Sequence, residues 1–269
     1  MRIRLVPLLA LGLVFASSLA IGSWRIDRML PDDRAILDYR PPPGQAFIPI
    51  KGTPALVIDA FLSAEDAAFY KHPGIDIPLM ARAAAIDLFR VASGRRPLGA
   101  STITQQMVRN LLLDDKISVS RKIKEIMLAL RVERQLSKDR ILEIYLNEIY
   151  LGCHAHGIAE ASLDYFAKPV DKLSPGEAAF LAGLPKAPSH YNPVRFPQAA
   201  KARRNWVIDR MVENGYLDGK AAAAAKRPPV EIGSSHCAAA GQPSPAPKLS
   251  ARNESLPSLA GPIPVQESP

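Results

Sequence analysis

Between Ala55 and Lys226 nearly every break in the chain carries a helix start or stop signal, which constrains this stretch to packed helices. Ser174-Pro175-Gly176-Glu177 reads as a capping box with proline at the first helical position. Ser118 or Ser120 caps a helix reaching about Leu136, and Ser137 caps ILEIYLNEIYLG, which Gly152 should stop. A helix over residues 78–93 has apolar residues at Leu79, Ala83, Ile86 and Phe89 and should end at Gly94. Ser101 to Leu113 follows a break at Gly99, and Pro197 to Asn214 is basic and amphipathic, with Trp206 and Met211 on its apolar side. The expectation is an all-α domain of roughly eight to ten helices without internal repeats. The only strand candidate, Phe47 to Ile50, lies in a connector broken at Pro41-Pro42-Pro43-Gly44.

The two ends differ from this body. Leu5 to Gly22 is an uncharged run of 18 residues, just enough to span a bilayer. Arg2 and Arg4 favour a cytoplasmic N-terminus, and Trp24 suits a membrane interface. An uncleaved anchor is expected, with cleavage after Ser18-Leu19-Ala20 as its rival. Either way, the rest of the chain works outside the cytoplasm. Nine prolines fall between Pro228 and Pro269 without any period, which reads as a disordered tail. The expected organisation is a stub and anchor over 1–24, a connector over 25–54, a folded domain over 55–226 and a tail over 227–269. Hydrophobic residues at 48% exclude a wholly disordered chain, and a net charge of +8 suggests an anionic partner. Export, without an aromatic–basic platform, argues against nucleic acid. Cys153 and Cys237 are expected to be unbridged, and the Cys153-His154-Ala155-His156 run matches no standard zinc spacing and reads as a loop.

Four segments break local rules. In AFLSAEDAAFYKHPGID (residues 60–76), Ser63 and Asp66 read locally as a capped helix start, with Glu65 in its first turn. Gly99-Ala100-Ser101-Thr102-Ile103-Thr104-Gln105-Gln106 crowds polar side chains at a helix start: an ordinary polar terminus, or a site for an anion or sugar. Arg121-Lys122-Ile123-Lys124-Glu125 puts three cations where the helix dipole disfavours them. Ile123, Ile126, Met127 and Leu130 form the expected buried stripe, with Arg121, Glu125, Leu128 and Val132 on a second face. Either Arg121 pairs with Glu125 on a solvated face, or the cations await a phosphorylated ligand. Asn147 interrupts a buried-looking helix, where a structural hydrogen-bonding role is the better reading.

Together and in this order, EDAAFYKHPGID, GASTITQQ, RKIKE, ILEIYLN and AFLAGLPKAPSHYNP (residues 179–193) resemble family 51 peptidoglycan glycosyltransferases. These are the monofunctional enzymes and the N-terminal domains of class A penicillin-binding proteins. The resemblance covers residues 55 to about 218, and the connector LPDDRAILDYRPP is similar too. It implies an all-α, lysozyme-like glycosyltransferase domain behind an N-terminal transmembrane helix. Such an enzyme polymerises lipid II into β-1,4 glycan strands at the bacterial inner membrane, on the periplasmic side. The resemblance makes Glu65 the general base and Glu125 a second catalytic carboxylate. It puts Arg82, Arg109 and Lys124 near the phosphates, with Lys116, Arg121 and Lys122 as further cations. Ser101, Gln105 and Gln106 become donor-cleft contacts, while Asp66, Phe69, His72, Gly74, Asp76 and Asn147 become structural.

No cofactor is implied as essential, although a divalent cation (Mg or Mn) beside Glu125 is admitted. The implied partners are lipid II, the lipid-linked glycan chain, the membrane, and a transpeptidase or other cell-wall synthesis proteins. Arg109 and Lys116 stand where Lys and Arg respectively are usual, which keeps charge but not bidentate geometry. Arg140 stands where an acidic residue is common. No SxxK, SxN and KTG set follows in the tail, so no transpeptidase domain is expected. The alternative readings are an impaired, truncated class A protein acting as a cell-wall scaffold, or a hydrolase on the same scaffold. The latter would have no use for the RKIKE cations.

Overall fold

The computed structural model describes residues 30–92, 101–114, 116, 118–230 and 232. The expected anchor at Leu5 to Gly22, Trp24, Gly94, Gly99 and most of the Pro-rich tail lie outside the described residues. Among the described residues no helix is long and apolar enough to cross a membrane.

The architecture is helical throughout: α1 Arg34–Leu37, α2 Ala55–Glu65, α3 Ile77–Ala92, α4 Ile103–Leu112, α5 Val119–Glu133, α6 Lys138–Glu148, α7 Gly157–Phe166, α8 Pro175–Gly183, α9 Pro197–Glu213 and α10 Gly219–Lys226. The starts follow local chemistry. Ser118 Oγ accepts from Arg121 N at 3.1 Å, Ser137 Oγ from Arg140 N at 3.2 Å, and Asp218 Oδ1 from Ala221 N at 2.7 Å. The expected box at Ser174 is closed by Glu177 at 3.3 and 2.8 Å. Each such cap stabilises its helix by about 1 kcal/mol.

Two groups of helices form the body. α2, α8 and α9 pack on one another with α10 beside them, while α4 packs on α5 and α6, with α7 against α6. One continuous apolar core joins the groups through fully buried residues such as Phe61, Met107, Leu128, Tyr145, Phe180 and Ile208.

Tertiary packing overturns four local expectations. Ser63 is no cap: it is buried within α2 and accepts from Asn214 Nδ2 at 3.2 Å, and the helix ends at Glu65. In α5 the stripes are exchanged. Glu125, Leu128, Ala129 and Val132 are buried, whereas Ile123 is 49% exposed. The stripe expected to be buried is the more apolar of the two, yet the contact with α4 covers the other, and Lys122 neutralises the carboxylate buried with it. α6 ends at Glu148, ahead of Gly152, which sits with φ +85° in the following loop.

Phe47 to Ile50 forms no strand, because its backbone is satisfied by side chains of α6. Ile48 N donates to Asn147 Oδ1 and Asn147 Nδ2 donates to Ile48 O, both at 2.9 Å, so the amide takes the place of a neighbouring strand. Ile50 N donates to Glu143 Oε2 at 2.8 Å, and Tyr39 Oη to Glu148 Oε1 at 2.6 Å. Arg140, the charge reversal, pairs with Glu143 and donates from Nη2 to Tyr39 O at 2.6 Å. The connector is thus laced to α6. Replacing Asn147 with Leu strands the Ile48 amide and carbonyl and is expected to lower unfolding free energy by about 2–4 kcal/mol. Urea denaturation measures this, and a change below about 0.5 kcal/mol would refute the clamp.

The tail does not begin at Arg227. Val230 and Ile232 pack on the core, and Arg204, 2% exposed, holds Pro228 O at 2.5 Å and Lys226 O at 2.9 Å. The Cys153–His156 run is a tight loop in which Cys153 and His154 have φ of 52° and 67°. Gly157 closes it with φ +79°, and a Cβ there would lie 2.4 Å from Asn147 O. Cys153 is disulfide-bonded, contrary to expectation; the second cysteine, Cys237, lies outside the described residues.

Candidate active site

Glu65 is the last residue of α2, and Asp66 turns the chain away from the helix. The Asp66 carboxylate, 4% exposed, accepts from His72 Nε2 at 2.9 Å and from Ile103 N, the first amide of α4, at 3.0 Å. The Gly74 amide donates to His72 Nδ1 at 3.2 Å, so Nε2 carries the proton given to Asp66. Thr102 Oγ1 closes the circuit on Gly74 O at 2.6 Å. Gly74 must be glycine: φ is +91° and a Cβ would lie 2.7 Å from Glu133 Cγ. Phe69 is buried beneath Lys138 Nζ, 4.3 Å from the ring centre, and Asp76 Oδ1 accepts from Leu79 N at 2.8 Å to start α3. The first motif is thereby folded onto the start of α4, which fixes Glu65 relative to Gln106.

Gln106 Nε2 donates to Glu65 Oε2 at 2.8 Å, and Tyr145 Oη reaches Gln106 Oε1 at 3.4 Å. The other oxygen, Oε1, faces Arg203 Nη2 at 3.4 Å. Glu65, Gln106 and Arg203 line a cleft of about 340 Å³ between the two helix groups, with Ser101, Arg109, Lys186 and Trp206. Desolvation pushes the Glu65 carboxyl above its ordinary range, against the opposing pull of the Gln106 hydrogen bond and of Arg203, Lys186 and Arg109. A carboxyl whose pKa is raised in this way holds a proton more readily than an exposed glutamate does, as a general base requires.

The RKIKE cations divide. Lys122 Nζ donates to Ser101 Oγ at 2.9 Å and pairs with Glu125, whose side chain is 2% exposed. The observed ion pair is therefore Lys122–Glu125, one helical step from the expected Arg121–Glu125 pair. Arg121 and Lys124 are half-buried on α5, Arg82 is exposed on α3 and Lys116 is exposed before α5. None of these four lines the Glu65 cleft. Gln105 does not line it either: it is fully buried, and its Oε1 accepts from Thr102 N at 3.0 Å in a capping box. A divalent cation beside Glu125 finds a poor donor set. One carboxylate already engaged by Lys122 falls far short of the oxygen ligands Mg²⁺ demands, and no cluster of three metal-ligating side chains occurs among the described residues.

Arg203 was not anticipated from the sequence, Lys186 lies in the last motif without an assigned role, and Trp206, expected on the apolar side of its helix, is instead 43% exposed on the cleft wall. Arg203 is 8% exposed, donates from Nε to Gly183 O at 3.0 Å, and lies 4.2 Å from the centre of the Trp206 ring. The available signal was the i,i+3 spacing of Arg203 and Trp206, which gives them a common face. A larger cavity, about 460 Å³, lies among α7, α8, α10 and residues 228–230. It is mostly apolar, and it holds no carboxylate–amide pair of the Glu65–Gln106 kind.

A family model described as Transglycosylase matches residues 35–212. Penicillin-binding protein 1A of Rickettsia conorii is 46% identical over 188 residues, covering 70% of this chain and 24% of that protein. Penicillin-binding protein 1A of Escherichia coli (strain K12) is 49% identical over 164 residues, covering 61% of this chain and 19% of that protein. The chain therefore spans about a quarter or less of the length of these relatives. The crystal structure of penicillin-binding protein 1A from Haemophilus influenzae overlaps 70% of this chain and 18% of that one, with TM-score 0.41 and 24% identity.

Proposed function

Because the chain belongs to the transglycosylase family, we propose that it is a peptidoglycan glycosyltransferase that polymerises lipid II into β-1,4 glycan strands. The acceptor sugar's 4-hydroxyl attacks the anomeric carbon of the growing lipid-linked chain. Glu65 takes the hydroxyl proton as the C–O bond forms, and undecaprenyl pyrophosphate departs from the opposite face, so the α-linkage becomes β. Gln106 holds Oε2 and Arg203 faces Oε1, and together they orient the carboxylate that takes the proton. The departing pyrophosphate carries the negative charge that forms, and cations arranged beforehand stabilise it by several kcal/mol. Arg109 is within the cleft; Lys122, steadied by Glu125, borders it through Ser101; Arg82, Lys116, Arg121 and Lys124 would serve the phosphates as substrate approaches. An anchor at Leu5 to Gly22 would bring this cleft to the outer face of the cytoplasmic membrane, where a lipid-linked substrate resides.

The single observation that most supports this reading is the Glu65 carboxyl, desolvated and fixed by Gln106 inside a cleft rimmed with cations. The test is to incubate detergent-purified full chain with labelled lipid II and separate the products on a gel. A ladder of strands is expected. No polymer, with lipid II still bound, would sink the proposal.

A further inference from the structure

Trp206 is 43% exposed, yet it sits on the wall of the cleft that holds Glu65. The Arg203 guanidinium covers the ring at 4.2 Å from its centre, and Arg203 is itself fixed by Gly183 O at 3.0 Å and Glu65 Oε1 at 3.4 Å. The ring is therefore backed on one side by the guanidinium and contributes to the wall of the cavity. A cation–π contact of this kind holds an indole in place without burying it.

The surroundings specify what such a ring can receive. Beside it in the same cleft are a carboxylate, an amide, a hydroxyl and three cationic side chains: Glu65, Gln106, Ser101, Arg109, Lys186 and Arg203. A purely apolar ligand would desolvate those polar groups without return. A pyranose ring carries axial C–H bonds on a face that can lie on an indole, while its equatorial hydroxyls and acetamido group remain at the rim to hydrogen-bond. We propose that Trp206 is a stacking platform for an N-acetylhexosamine ring, with Arg203 as the group that positions it. The inference rests on the glycosyl-transfer reading and deepens it. The sugar stacked there is the acceptor, the one whose hydroxyl Glu65 deprotonates, because Arg203 bridges the platform and that carboxylate.

The chain has two tryptophans, Trp24 and Trp206, so Trp24→Phe leaves Trp206 as the only indole emitter. This variant is titrated with a lipid-free β-1,4-linked N-acetylglucosamine disaccharide, with maltose as control. A saturable change in emission is expected for the N-acetylated disaccharide alone. In the polymerisation assay, Trp206→Ala should raise KM for the lipid-linked substrate by about tenfold with kcat within about threefold, and Trp206→Phe should return KM towards the parental value. A ring with only a packing role would instead lower kcat and thermal stability together, and that outcome overturns the proposal. Unmoved emission together with a parental KM for Trp206→Ala, in a chain that still polymerises, overturns the platform and leaves the transferase reading intact. Disaccharide binding at Trp206 by a chain that makes no polymer does the reverse. A shift caused by anionic phospholipid vesicles, with none from the disaccharide, would assign the ring to a lipid surface and refute a sugar site.

Discussion

Under the proposed glycosyl-transfer function, Glu65→Gln is expected to abolish detectable strand synthesis: the loss from removing a general base is about 10²–10⁴-fold in kcat. The amide keeps the size and the hydrogen-bonding reach towards Gln106, so lipid II binding should survive. Equal binding with no ladder on the gel separates loss of chemistry from loss of the cleft. The carboxyl must be ionised to accept a proton, and burial raises its pKa above the ordinary 4.5. The acidic limb of kcat/KM should therefore fall above pH 4.5, at the folded-state value. Stability responds with a definite sign. The folded protein holds this proton more tightly than the unfolded chain does, so the contribution of Glu65 is fully present below its unfolded value and is lost as pH rises through the folded one. Glu65→Gln should thus melt higher than the parent at neutral pH and lose that advantage on acidification. A variant that melts lower at pH 7 and higher at pH 4 would contradict the desolvation account.

Asp66→Ala should have the largest effect on stability. It removes the acceptor for His72 Nε2 and for the Ile103 amide, both in a buried setting. Each donor left without a partner costs about 1–3 kcal/mol, so a loss on the order of 3–5 kcal/mol is expected in urea denaturation. Because Asp66 joins the end of α2 to the start of α4, the distance from Glu65 to Gln106 is no longer held, and polymerisation should fall as well. Asp66→Asn retains one acceptor oxygen and should lie between the two. Unfolding of Asp66→Ala within about 1 kcal/mol of the parent would show that α2 and α4 are joined by core packing alone.

The sequence resemblance and the observed geometry meet at Glu65, Gln106 and Ser101, from two motifs, and at Arg109, one turn beyond the second; all four share one cleft. They part at Gln105, whose side chain turns back to cap α4, and at Arg82, Lys116, Arg121 and Lys124, which stand away from the Glu65 cavity. Those cations sit on surfaces whose relation to the cleft depends on the long substrate that would bridge them, and residue spacing does not encode it. Lys122 was legible as a cation but not as the partner of Glu125: i,i+3 and i,i+4 pairs are both within reach on a helix, and only the burial of Glu125 selects between them.

What the sequence determined alone is the local layer. Ser118, Ser137 and Ser174 start helices because each side chain satisfies an amide three residues away, an interaction complete within one turn. Helical periodicity, with Phe47 to Ile50 as the only strand candidate, likewise settled the fold class, since the apolar stripes then had only other helices to be buried against. Tertiary structure decided which stripe of α5 is covered, that Ser63 lies inside a helix, that Asn147 stands in for a strand neighbour of Ile48, and that Arg203 of α9 meets Glu65 of α2. Each of these depends on the burial of one group by another that is distant along the chain. The energy of such a contact comes from shared desolvation, which neither partner's own neighbours in sequence can specify.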